Sequence, residues 1–136
     1  MPEAALTTAR RGHSVAIIGD WVYVIGGVDA EQRTLDTVER ARIRADGTLD
    51  RFAPVPGVVL TTVRRGHSNA VVGGWLYVIG GENGPLGSVE RAEIGAGGEL
   101  DPFSVAPITL SVARCAHGTA VLGNFLYVLG GQSVIR

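Results

Sequence analysis

The sequence contains no lysine. Its twelve basic residues are all arginine, against thirteen acidic residues, for a formal net charge of −1. A near-neutral chain lacks the excess of cations that displaces counterions from phosphate, so nucleic acid is not expected as a partner. Cys115 is the sole cysteine and permits no internal disulfide. Packing alone must hold the fold, and the cysteine count leaves the redox compartment open. No apolar run approaches the ~18 residues that cross a bilayer as a helix, so no membrane helix is expected. The opening stretch MPEAALTTAR has neither the basic region nor the apolar core of a secretory signal. Localisation is therefore unassigned. Aromatic residues are scarce, at 6%, which makes their regular placement informative.

What the chain does have is one unit written three times. Residues 10–27, 64–81 and 114–131 align, with His13, His67 and His117 separated by 54 and then 50 residues, and Gly26, Gly80 and Gly130 repeating those separations. Each copy reads as two short apolar strands around a turn dipeptide: Gly19-Asp20, Gly73-Gly74 or Gly123-Asn124. The second strand ends on a glycine pair (Gly26-Gly27, Gly80-Gly81, Gly130-Gly131), where a side chain would obstruct a positive φ or a close backbone approach.

A looser repeat follows. Val38-Glu39-Arg40-Ala41 answers Val89-Glu90-Arg91-Ala92, and Phe52 answers Phe103. This predicts a second hairpin, with strands near 37–45 and 49–54 joined at Ala45-Asp46-Gly47. Lettering the strands a to d, the chain runs a-b-c-d, a-b-c-d, a-b. The expected division is a lead-in at 1–9, a first blade at 10–60, a second at 61–110, and a half blade at 111–136.

Four antiparallel strands in roughly 50 residues is the spacing of a propeller blade. The sequence resembles the kelch-repeat family in the glycine pairs, in the tyrosine three residues before each (Tyr23, Tyr77, Tyr127), in the aromatic two residues earlier (Trp21, Trp75, Phe125) and in the arginine opening each unit. It departs from the family's pattern where a tryptophan often opens strand d, since Phe52 and Phe103 stand there. The resemblance implies an all-β fold, a kelch-type β-propeller fragment of about 2.5 four-stranded antiparallel blades. A ring of about four to eight blades cannot close from this length. Near-continuous apolar runs such as Val22–Ile25 and Leu76–Ile79 imply blades buried on both faces. Open blade faces then predict a homo-oligomer, with strand exchange as one route and aggregation through an unpaired edge as another.

The candidate chemistry is modest. Three histidines in register could hold a metal, but a residue repeated in register serves better as one structural hydrogen bond made three times, and no metal or other cofactor is assigned. Kelch-like copper radical oxidases use a tyrosine crosslinked to a cysteine. Here Cys115 stands at the position of Arg11 and Arg65, and the tyrosines are packing residues of the repeat. Glu39-Arg40 and Glu90-Arg91 alternate across strand c and form no catalytic dyad, so ion pairing between blades is expected of the glutamates. No catalytic residue is assigned.

The face carrying the b–c loops also carries Arg10, Arg11, Arg64, Arg65, Arg114, Glu82 and Asn83, the predicted binding residues. In the resembled family that face commonly meets acidic peptides or proteins, which suits the bidentate arginine fork. The same arginines could instead satisfy loop carbonyls and the strand-c glutamates. The function expected is a non-catalytic interaction or scaffold module. The alternatives are a segment of a sugar-acting kelch enzyme, of sialic-acid mutarotase or galactose-oxidase type, and a designed or excised propeller fragment.

Overall fold

The computed structural model describes residues 5–83 and 86–132. Among these residues there is no helix, and strands account for all the regular structure. In unit 1, β1 (Arg10–Arg11) precedes β2 (Ser14–Ile18) and β3 (Trp21–Ile25); β4 (Val28–Asp29) pairs back on β1; and β5 (Thr37–Arg42) and β6 (Ala53–Val59) complete an antiparallel sheet of order β2-β3-β5-β6. Unit 2 repeats it with β7 (Ser68–Val72), β8 (Trp75–Ile79), β9 (Ser88–Glu93) and β10 (Ser104–Thr109). Unit 3 has β11 (Gly118–Leu122) and β12 (Phe125–Leu129), paired only with each other. The protein is a propeller fragment of four-stranded antiparallel blades.

The first hairpin of each unit falls where the repeat predicts it. Ile18 pairs with Trp21, Val72 with Trp75 and Leu122 with Phe125, leaving the turn dipeptides as two-residue loops. Strand d does not fall where predicted. Instead of 49–54 it runs over 53–59, and strand c stops at Arg42, with the span toward 45 reduced to a single bridge between Ile43 and Leu49. Strand d contains Pro54, Pro56 and Gly57, a composition that argues against a central strand. As the outermost strand it pairs on one side only, and its register shifts between Thr37 and Glu39. Phe52 and Phe103 are buried immediately before their d strands.

Packing between units explains the unbroken apolar runs. Successive strand residues point to opposite faces, and in β3 both faces are covered: Tyr23, Val24 and Ile25 are all buried. Tyr23 and Ile25, with Ala16 and Ile18, face unit 2 and share a core with Leu76, Val78, Ala92 and Phe103. The other face of unit 2 repeats the arrangement. Ile79 and Val89, with Tyr77 beside them, pack on Leu126 and Val128 of unit 3. The first sheet's outer side is partly closed by Leu6, which packs with Val22 against Val24, Ala41 and Phe52.

Candidate interaction surface

Each unit enters its sheet through a bend that ends in arginine: Thr7-Thr8-Ala9-Arg10, Thr61-Thr62-Val63-Arg64 and Ser111-Val112-Ala113-Arg114. In unit 2 the bend turns two backbone N–H groups onto the strand-c carboxylate. Thr61 N donates to Glu90 Oε1 at 2.6 Å and Thr62 N to Oε2 at 3.0 Å, and Arg64 Nη2 adds a third bond at 2.9 Å. Arg64 Nη1 donates to the carbonyls of Gly80 (2.7 Å) and Ser88 (3.1 Å), and the Arg64 and Glu90 side chains are both fully buried. Unit 1 repeats this with Thr7, Thr8 and Arg10 on Glu39 at 2.7, 3.0 and 2.8 Å. Burial pushes the Glu39 carboxyl up, but the N–H donors of Thr7 and Thr8 and the Arg10 charge outweigh it and hold the group below its ordinary value. At Arg64 burial wins and lowers the guanidinium's affinity for its proton, with Glu90 opposing.

The expected pairing of these glutamates between blades is therefore corrected: each closes on the arginine of its own unit. The entry segment crosses the end of its own sheet, which places strand c beneath it. The arginine after each of these glutamates stacks on an aromatic, Arg40 lying 3.9 Å from the Trp21 ring centroid and Arg91 4.0 Å from that of Trp75.

Contacts between units are also repeated. Gly27 N donates to Arg64 O at 2.9 Å and Gly81 N to Arg114 O at 2.8 Å. A Cβ on Gly26 would lie 2.8 Å from Arg64 O, and one on Gly80 2.6 Å from Arg114 O, so neighbouring backbones occupy the space a side chain would need. His67 Nε2 donates to Ile25 O at 3.0 Å, which fixes its tautomer. Burial and the nearby Arg64 charge, against that bond, lower its pKa to about 4. His117 Nε2 meets Ser68 Oγ at 2.7 Å. Tyr23 Oη donates 2.7 Å to Gly98 O, in the c–d turn of unit 2. His67 and His117 thus each join their unit to the one before it. Among the described residues, no three His, Cys, Asp or Glu side chains are placed to hold a metal ion.

The predicted binding residues divide sharply. Arg10 and Arg64 are spent inside the fold, and a partner cannot reach them. Arg11 is exposed and donates to Gln32 Oε1 at 2.7 Å, while Arg65 is half-exposed with Glu82 at 3.8 Å. These four residues line one shallow depression together with Gly12 and Gly66, and Asn83 is exposed in the loop beside it. Cys115, at the third copy of this position, is buried, its Sγ 3.9 Å from Glu82 Oε2. Arg114 donates to Gly130 O at 3.1 Å, as Arg10 and Arg64 do to Gly26 and Gly80, and no carboxylate among the described residues reaches it.

The face of unit 3 that points away from unit 2 is open. Leu122, Phe125, Tyr127 and Leu129 are 66%, 68%, 45% and 61% exposed, where Tyr23, Ile25 and Ile79 are at most 1% exposed. Among the described residues, Gly130 has nothing within 4 Å of a notional Cβ, and none offers His13 the carbonyl acceptor that His67 finds in Ile25. The repeat identifies the strands and implies open blade faces, but it does not say which of the arginines are buried. The Thr-Thr-x-Arg bends recur at 7–10 and 61–64, but their contribution is backbone N–H, which no side-chain pattern signals.

Residues 9–40 and 64–91 each match the family model of the Kelch motif, spanning strands a to c of units 1 and 2. No curated protein matches the chain.

Proposed function

Because the chain is a kelch-repeat protein, we propose that it is a non-catalytic interaction module that assembles with copies of itself through its open blade faces. The exposed face of unit 3 carries the proposal. Leu122, Phe125, Tyr127 and Leu129 stand where unit 1 buries Ile18, Tyr23 and Ile25, and partly buries Trp21, against its neighbour. Fully burying four such side chains is worth roughly 1.5–3 kcal/mol each. Partial cover already present reduces the gain to on the order of 5 kcal/mol, still comparable with the lower end of ~5–15 kcal/mol domain stabilities. The matching half of the contact is the outer face of unit 1, where Val15 and Ile17 are exposed beside His13.

In such a head-to-tail contact, Gly131 N of one copy meets Arg10 O of the next, and His13 takes the Leu129 carbonyl, as Gly81 and His67 do within the chain. A contact of this kind is heterologous, and it closes into a ring where the rotation allows. The depression bearing Arg11 and Arg65 is then the surface offered to an acidic segment of a further partner. Sedimentation velocity of the wild type and Leu129→Asp tests the assembly. The expected result is a species heavier than one chain for the wild type, and one chain for the variant, with an unchanged β-sheet circular dichroism spectrum. A wild type that sediments as a single chain at every concentration, or a variant that assembles unchanged, overturns it.

A further inference from the structure

The corner where unit 2 enters its sheet against unit 1 is built around one buried ring. His67 is 7% exposed, too little for water to solvate a charge on it. Its Nε2–H is committed to Ile25 O at 3.0 Å, and its Nδ1 is buried with no hydrogen-bond partner among the described residues. The ring lies against the first glycine pair, since a Cβ on Gly26 would stand 2.8 Å from its Cε1. Three backbone bonds close the same corner: Gly27 N to Arg64 O at 2.9 Å, Arg64 N to Leu35 O at 3.1 Å and Gly66 N to Gly12 O at 2.8 Å. A proton added to Nδ1 has nothing to bond. The charges that act on the ring also oppose it: Arg64 from its own entry segment, His13 from that of unit 1 and His117 from that of unit 3. The glycine pairs packed on it, Gly26-Gly27 and Gly80-Gly81, bring no charge. Glu90, the strand-c carboxylate of its own unit, is closed on Arg64 and on the N–H groups of Thr61 and Thr62.

We propose that this corner is an acid-operated latch: a proton on His67 turns the ring out to water and parts Gly26-Gly27 from Arg64–His67, while both four-stranded sheets stay folded. The latch sits between two complete sheets, and neither its ring nor its backbone bonds involve the open face of unit 3. Its consequence reaches the surface. Gly12 and Gly66 line the same depression as Arg11 and Arg65, so parting them withdraws in acid a surface that neutral pH presents. Linkage sets the size of the effect. Where the opened ring recovers its ordinary 6.5 and the closed ring titrates at about 4, the ratio of open to closed corner rises roughly twentyfold from pH 7 to pH 5.

The latch does not depend on assembly or on a partner, and its test reads the corner itself. Hydrogen exchange of the full chain is followed amide by amide by NMR at pH 7 and pH 5, with intrinsic rates divided out. The amides of Gly27 and Gly66 are expected to have larger opening constants than those of Tyr23 and Val24 inside β3. Between the two pH values those constants should grow about twentyfold in the wild type and less than about fourfold in His67→Gln. Opening constants equal to those of Tyr23 and Val24 would mean that the corner opens only with the whole sheet, and growth that persists in His67→Gln would mean that another group takes the proton. Either result overturns the proposal. Should His67→Gln fail to fold, the wild-type ring decides: an NMR titration midpoint of His67 below about 5 is expected, and a higher one contradicts the latch.

Discussion

Arg64 and Arg114 open successive units at the same position and make the same bond to a glycine carbonyl, yet one is sealed against Glu90 and the other has no carboxylate among the described residues. The contrast continues along the sheets: Ile79 is buried and Leu129 exposed, and a side chain at Gly80 would strike Arg114 O where Gly130 faces open space. Local sequence is therefore enough to form a unit's strands, turn and arginine pose. Burial of those same residues depends on what the next unit supplies, as expected for a repeat protein whose stability combines unit and interface contributions.

The largest effect should come from breaking the sealed pair. Arg64→Ala leaves Glu90 buried without its cation and should cost about 3–5 kcal/mol in chemical denaturation. Arg114→Ala should cost less than about 1 kcal/mol, because no buried partner is stranded. Equal losses at both positions would dissolve the contrast.

Acid should attack the junction of units 1 and 2 next. His67 is held neutral, with its pKa lowered from 6.5 to about 4 in the folded chain. Between those values the unfolded chain binds the proton and the folded chain does not, so stability is complete above 6.5 and falls as the pH drops toward 4, by up to about 3 kcal/mol. His13 and His117 are lowered in the same direction and act from the same upper limit. Glu39, held below its ordinary value, loses its contribution only as the pH falls further. Urea midpoints measured from pH 7.5 to 4 test this, and His67→Gln should flatten much of the slope.

A smaller effect separates the tyrosines. Tyr23→Phe deletes the bond to Gly98 O and strands a buried carbonyl, at about 1–2 kcal/mol. Tyr127→Phe, at a half-exposed ring, should be neutral within ~0.5 kcal/mol in thermal melts. The smallest change should sharpen the third unit. Ala116 has φ +54 where the earlier units place Gly12 and Gly66, both at +65. Ala116→Gly should relieve about 1 kcal/mol of left-handed strain, seen as a raised melting temperature.

Much of this architecture is readable in the residues. The glycine pairs, turn dipeptides and aromatic positions locate strands a and b, because those strands are buried on both faces and their composition repeats closely. Strand d was misplaced because an edge strand tolerates Pro54, Pro56 and Gly57, which carry no strand signal of their own. The arginines were recognised as a set but not divided into buried and exposed members. The division rests on where strand c passes beneath the entry bend and on backbone donors such as Thr61 N and Thr62 N, which no side-chain pattern announces.

Hydrogen exchange at two concentrations tests most directly whether unit 3 obtains its cover from another copy. The amides of Phe125–Leu129 that bond to β11 should exchange much faster than those of Trp75–Ile79 in dilute protein, and the gap should narrow as concentration rises and the open face is buried. Protection of the two strands that stays equal, or a gap that does not change across the same range, would contradict the account.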